Sequence, residues 1–280
     1  MMALDKKQGW ALLTGVLSFS LLTGCSDTEE AAEETTSAWD EIQEEGVLEI
    51  GTSGTLLATS FHDEETDELT GFEVEVAREV ADRLGLEAEF TELGFDEMLT
   101  SVNTGQLDMA ANDIEITEER QEEFAFSTPI KYSYGVAVVR EDDLSGIETL
   151  EDVEGKKAAG AATSIYMDIA RELGAEPVTY DNASNEVYLR DVSIGRTDVI
   201  LNDYYLSLFG VSAFPDLNIT IHPDIKFNPS SVGLVMNEEN TELVENVNRV
   251  LAEMLEDGTI TELSKAFFGG EDVSQEPDVE

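Results

Sequence analysis

The chain predicts a two-lobed α/β fold, each lobe a mainly parallel sheet flanked by helices, with a two-strand hinge. Three observations lead there. Strand-like and helix-like segments alternate from Trp39 onward, and the alternation starts afresh after "YSYGVAVVRED". Two extended stretches, near 132–140 and 227–235, lead out of the first run and back into it. Alternating β and α segments build parallel sheets, because each helix carries the chain back over the sheet before the next strand.

The elements follow in order. "VLEIGTS" is a short apolar strand. In "FEVEVAREVADRLG", Phe72, Val76, Val80 and Leu84 recur every fourth residue, a single helical stripe that Gly85 stops. "LEAEFTEL" alternates Leu86, Ala88 and Phe90 as a strand does. "FDEMLTSVNTG" predicts a helix capped by Asp96 and ended by Gly105, and "LDMAA" a buried strand. In the second unit "GKKAAGAA", "PVTYD" and "TDVILN" read as strands. "SIYMDIARELG", "NEVYLRDVSIG" and "DYYLSLFGVSAF" read as helices, the first stopped by Gly174. "SSVGLVMN" returns extended to the helix "TELVENVNRVLAEMLEDG". A last helix carries a Thr259–Glu262 capping box. Lobe 1 is expected to take residues 39–134 and 231–270, lobe 2 residues 135–230, and the polar tail 271–280 to be frayed.

The N-terminus reads as an address. Lys6 and Lys7 precede an apolar run from Trp10 to Gly24. Fifteen residues make roughly 22 Å of helix, short of a hydrocarbon core of about 30 Å, so residues 1–24 fit a signal peptide better than a spanning helix. "LLTGC" resembles a bacterial lipobox, which implies that Cys25 is lipidated and becomes the new N-terminus. Residues 25–38 then form an acidic tether. An exported, lipid-anchored protein on the outer face of the membrane is expected.

Composition narrows the function. Acidic residues number 62 against 15 basic ones, a net charge of -47. Such a surface repels nucleic acid and anionic membranes, and fits an exterior where salt screens self-repulsion, the pattern of halophilic adaptation. Cys25 is the single cysteine, so neither an intrachain disulfide nor a cysteine–histidine metal site is available. His62 and His222 are the only histidines, and no G-x-S-x-G accompanies them. No catalytic residue, cofactor or metal is expected.

Six blocks now stand in order: "GVLEIGTSGT", "ELTGFEVEVAREVADRLG", "FDEMLTSVNTGQLDMAANDIEITEERQEEFAFSTPI", "LEDVEGKKAAGAATS", "GRTDVILNDYYL" and "EDGTITELSKAFFG". Together they resemble the extracellular solute-binding proteins of polar-amino-acid ABC importers, family 3, over Trp39 to Gly270. The resemblance implies a periplasmic-binding-protein type II fold. It also implies a monomer that closes two lobes on a free amino acid and delivers it to an ABC permease.

It further implies roles for particular residues. Arg120 matches the family's carboxylate-binding arginine, whose guanidinium forks onto a carboxylate through parallel N–H bonds. Its other reading is an ion pair with Glu118 or Glu119. Asp203 matches the acceptor of the ligand's ammonium, and as a helix N-cap it has a second reading. Asp113 stands where a backbone carbonyl is offered, and Thr163 and Ser164 match the second lobe's Gly-Thr-Thr turn. Phe95 and Tyr166 face either the ligand or the core.

Two departures matter. Leu56 replaces a stacking aromatic, with His62 a loop residue nearby, and Glu115 replaces a small serine or threonine. A carboxylate beside Arg120 partly neutralises it unless Glu115 turns towards the side-chain pocket to meet a second amine. That favours cystine or another sulfur-containing or diamino amino acid, then basic ones; "AND" and "TSIY" resemble cystine-type binders. The other class is an enzyme on this fold, resembling cyclohexadienyl dehydratases, with Glu115 as the cleft acid.

Overall fold

The computed structural model describes residues 37–180 and 183–276. The expected signal peptide (1–24), the lipidated Cys25 and nearly all of the tether lie outside the described residues, as do 277–280 of the tail.

Ser37 opens α1 (Ala38–Glu45) with a reciprocal capping box to Asp40, and Gly46 ends it in the left-handed conformation. β1 (Val47–Thr52) follows and buries Leu48 and Ile50 completely. An antiparallel meander of β2 (Thr55–Leu56), β3 (Ser60–His62) and β4 (Leu69–Thr70) leads into α2 (Phe72–Leu84). The stripe read from the sequence is the buried one: Phe72, Val76 and Val80 expose nothing, and Leu84 packs at the margin of the same core. Full burial of one such side chain contributes about 1.5–3 kcal/mol. Gly85 stops the helix, its N–H donating to the carbonyls of Ala81 and Asp82.

β5 (Glu87–Glu92) lies parallel to β1. α3 (Phe95–Asn103) departs from expectation at its start, because Gly94 and not Asp96 is the cap residue. The Asp96 carboxylate instead accepts from the Thr163 hydroxyl, a tertiary partner displacing a local one. β6 (Met109–Ala110) lies parallel to β1, and β7 (Phe124–Phe126) forms the far edge of this first sheet.

β8 (Lys131–Arg140) then carries the chain into the second lobe. There β9 (Lys157–Gly160), α4 (Ile165–Glu172), β10 (Glu176–Thr179), α5 (Asn185–Ser193), β11 (Ile200–Asp203) and α6 (Tyr204–Ala213) alternate as the sequence suggested. β10 pairs parallel with β9, whereas β11 pairs antiparallel with β8. β12 (Ile219–Val232) runs the length of β8, from Ile219 opposite Arg140 to Val232 opposite Lys131. A chain returning along β8 enters the first sheet against its parallel strands. β13 (Val235–Asn237) accordingly inserts between β6 and β7, antiparallel to both, in the order β5-β1-β6-β13-β7.

α7 (Thr241–Glu256) and α8 (Thr259–Phe267) pack back on α2. Two local expectations fail here. Thr259 lies inside α8, whose cap is Gly258, and its amide and hydroxyl both donate to Asp257 Oδ1, so no capping box forms. The tail is docked as far as its described residues go. Val273 is buried in the first-lobe core and its carbonyl accepts from Tyr132 N–H at 2.8 Å. α8 adds further ties: Val273 N–H donates to Ser264 Oγ at 2.8 Å, the Ser264 hydroxyl to the Glu271 carbonyl at 2.8 Å and the Thr261 hydroxyl to Asp272 at 3.0 Å.

Candidate functional site

The site is built where β6 ends. Asn112, Asp113 and Glu115 are all buried, and Asp113 takes a left-handed φ of 56°. Asp tolerates that conformation better than most residues. Beneath it stands Glu73, in the first turn of α2. Gly71 allows this approach: at φ 130°, a Cβ there would sit 2.3 Å from the Thr59 carbonyl oxygen. The Asp113 N–H donates to both oxygens of Glu73, at 3.1 and 3.0 Å. Burial pushes the Glu73 carboxyl up to about 7, against the pull of Lys131 and the Asp113 amide.

Lys131, the first residue of β8, is completely buried. Its ammonium pairs with Asp113 Oδ1 and, at 3.3 Å, with Asp203 Oδ1. Burial opposes the charge on Lys131, but Asp113, Asp203 and Glu73 outweigh it and hold the ammonium above its usual value. Asp203 ends β11 and caps α6, its Oδ1 accepting from Leu206 N–H at 2.9 Å. Oδ2 of Asp203 is buried without a hydrogen-bond partner among the described residues.

Arg120 opens a short 3-10 turn, Arg120–Glu122. Its Nη1 donates to the Glu115 carbonyl at 2.9 Å and to Glu115 Oε2 at 3.0 Å. The guanidinium lies over the Phe95 ring, 5.5 Å from its centroid. Nη2 is buried and unpartnered among the described residues. The alternative pair with Glu118 or Glu119 does not form; both are exposed, and Glu115 takes their place. Glu115 therefore turns towards Arg120 and not away from it, because a buried carboxylate beside a guanidinium gains more from pairing than from facing an apolar wall.

On the second lobe Ser164 caps α4, accepting from Met167 N–H at 3.2 Å, while Thr163 reaches across to Asp96. Tyr166 is buried edge-on to Phe227, and burial raises its phenol well above its ordinary value.

A cavity of about 300 Å³ lies between the lobes. Ser53, Leu56, Phe95, Asp96, Asp113 and Glu115 line one side, and Gly160, Ser164, Tyr166, Tyr180 and Leu206 the other. Phe95, Asp113, Glu115, Ser164 and Tyr166, all expected in the site, thus line it directly. Arg120, Thr163 and Asp203 do not: each touches a lining residue, namely Glu115, Asp96 and Leu206. His62 is not in the wall either; it sits in β3, bonded to Glu92 at 2.9 Å.

Sequence reasoning missed Glu73 and Lys131. Both left a signal. Glu73 shares a helix face with Ala77 and Val80, all buried, so an acid stands on an apolar stripe. Lys131 shares the period-two face of Ser133, Gly135, Ala137 and Val139, so a cation stands at an inward register position. Charges at such positions are paired or functional.

The match to known proteins is extensive. Residues 48–270 match the bacterial extracellular solute-binding proteins, family 3. The probable ABC transporter extracellular-binding protein YckB of Bacillus subtilis (strain 168) is 58% identical over 264 residues, covering 94% of this chain and 92% of that protein. The L-cystine-binding protein TcyA of the same strain is 35% identical over 237 residues, 85% of this chain and 86% of that one. Among solved structures, a mutant of ArgBP from T. maritima superposes with a TM-score of 0.76 at 29% identity, over 82% of this chain and 98% of its own.

Proposed function

Since the chain belongs to the bacterial extracellular solute-binding proteins, family 3, a family of transport binding components and not of enzymes, we propose that its cleft captures a free amino acid carrying a second amine, with cystine first and basic amino acids next. The protein then presents this ligand to the permease of an ABC transporter. The observation that carries the reading is the charge of the wall. Four carboxylates, Asp96, Glu97, Asp113 and Glu115, line the cavity, and among the described residues no lysine or arginine does. A site this acidic favours a ligand bringing more than one positive charge. The name of TcyA, an L-cystine-binding protein, points the same way.

One ligand carboxylate has a partner waiting in the buried Nη2 of Arg120, with the Ser164 hydroxyl, which so far only accepts from Met167 N–H, in the facing wall and Thr163 beside it. One ammonium has Asp203. The second ammonium falls to Glu115, half-neutralised by Arg120 until the ligand's carboxylate draws the guanidinium away. Export through residues 1–24 and tethering by lipid on Cys25 belong to the same proposal, and "LLTGC" supports them. Membrane fractionation of the Cys25→Ala chain checks the anchor.

Calorimetric titration with L-cystine, L-arginine, L-lysine and L-glutamine tests the ligand class. The expected result is one-to-one binding of cystine or a dibasic amino acid at least tenfold tighter than glutamine. Glu115→Thr should shrink that preference about tenfold, near 1.4 kcal/mol, while leaving glutamine unchanged. Equal loss for all four ligands would count against the second-amine role.

A further inference from the structure

Lys131 is the only described side chain that touches carboxylates from both lobes at the cleft. Asp113 belongs to the first lobe, at the end of β6. Asp203 belongs to the second, at the junction of β11 and α6. Lys131 itself begins the strand that joins them. Its ammonium and the Leu206 amide both converge on Oδ1 of Asp203, leaving Oδ2 as the free oxygen. The neighbouring Asn202 and Leu206 line the cavity, so this oxygen lies just behind the wall.

We infer that Lys131 is a positioning residue for ligand capture: it anchors one oxygen of Asp203, keeps the other available for the ligand's ammonium, and ties this subsite to Asp113 across the hinge. The inference rests on the amino-acid-binding reading and adds to it a device placed outside the cavity wall.

The charge balance gives the inference its consequence. Facing Lys131 are Asp113 and Asp203, with Glu73 below them and Glu115, paired to Arg120, alongside; Tyr134 and Tyr166 close the ring of titratable groups. Burial drives the Asp113 carboxyl towards its neutral form, and Lys131 is the charge that opposes this. Without the ammonium, a dry cluster of carboxylates relieves its repulsion by taking up a proton. That proton must leave before a ligand's ammonium can bind, so affinity becomes linked to pH, rising by up to about tenfold per unit for each proton released.

Calorimetry on full-length protein in mild detergent, with L-cystine and L-arginine at pH 6, 7 and 8 in buffers of differing ionisation enthalpy, reads both affinity and proton release. For the natural chain, release of only a fraction of a proton, from Glu73, is expected at pH 7, falling towards pH 8. Lys131→Met should bind at least tenfold more weakly at pH 7, release a proton on binding, and recover affinity towards pH 8. Lys131→Arg, which keeps the charge, should show no new proton release. A lysine that merely supports the fold would lower the melting temperature without changing the proton count. Where Lys131→Met does not fold, the charge-balanced pair Lys131→Met with Asp113→Asn replaces it and should bind as weakly, because Asp203 has lost its anchor, but without the new proton release, because the carboxylate that would take up the proton is gone. Natural affinity in whichever of these folds would overturn the inference. Failure of the natural chain to bind any amino acid would instead overturn the function on which it rests.

Discussion

The two walls of the cleft are made of different materials. The first lobe supplies Asp96, Asp113 and Glu115 to the cavity, with Glu73 and Arg120 packed behind them. The second lobe supplies Ser164, Tyr166, Tyr180 and Leu206, and keeps its carboxylates behind the wall, Asp203 bound to Lys131 and Asp191 to the Tyr180 hydroxyl. The first lobe thus brings carboxylates into the cavity itself, whereas the second is a lid of hydroxyls and rings whose buried anions stand behind the wall. Such a division suits capture by closure: charge complementarity engages the ligand on one lobe, and the other adds contacts and excludes water.

Three changes test that asymmetry, in falling order of effect. Arg120→Ala and Asp203→Ala remove one anchor from each wall, and each should weaken amino-acid binding by at least about a hundredfold, some 3 kcal/mol. Calorimetry reads the loss and circular dichroism the retained fold. Normal binding in either variant would show that the anchors are misplaced. If only Asp203→Ala bound normally, the second wall would be a lid alone.

The second change touches the foundation of the charged wall. Glu73 is raised from an ordinary 4.5 to about 7. A carboxyl with a raised value in the folded state holds its proton more tightly there than in the unfolded chain. Its penalty is therefore absent below pH 4.5, grows as pH rises towards 7, and is complete above that. The full penalty is about 3 kcal/mol by linkage. Glu73→Gln keeps an acceptor for the Asp113 amide and removes the penalty, so its melting temperature should exceed that of the natural chain at pH 8 and match it near pH 4.5. A gap that is the same at both pH values would refute the assignment.

The smallest effect belongs to the side-chain hydrogen bond that joins the walls from Thr163 to Asp96. It is exposed, so Thr163→Val should cost about 0.5–1 kcal/mol, a few-fold faster ligand release by stopped-flow. A hundredfold effect would make this contact an anchor and blur the contrast between the walls.

Much of this was legible residue by residue. The helix of α2 followed from Phe72, Val76 and Val80, and its end from Gly85, because periodicity and a left-handed stop are local properties. The resemblance carried the family and collected Phe95, Asp113, Glu115, Ser164 and Tyr166 around one cavity. The capping expectations for Asp96 and Thr259 failed together, since each side chain had a competing partner that local rules cannot see. The docking of Val273 was hidden for the same reason: an apolar residue flanked only by polar ones in a short tail has no period.

What the sequence determined by itself was the order of the elements, the two-lobed α/β class and the family, all encoded in neighbours along the chain. What only the tertiary structure decided was who pairs with whom in the cleft. Glu115 claimed Arg120 from its own loop, and Lys131 joined Asp113 to Asp203 across 18 and 72 residues of chain. Buried charges choose partners by distance and desolvation, and those are set by the folded backbone rather than by spacing in sequence.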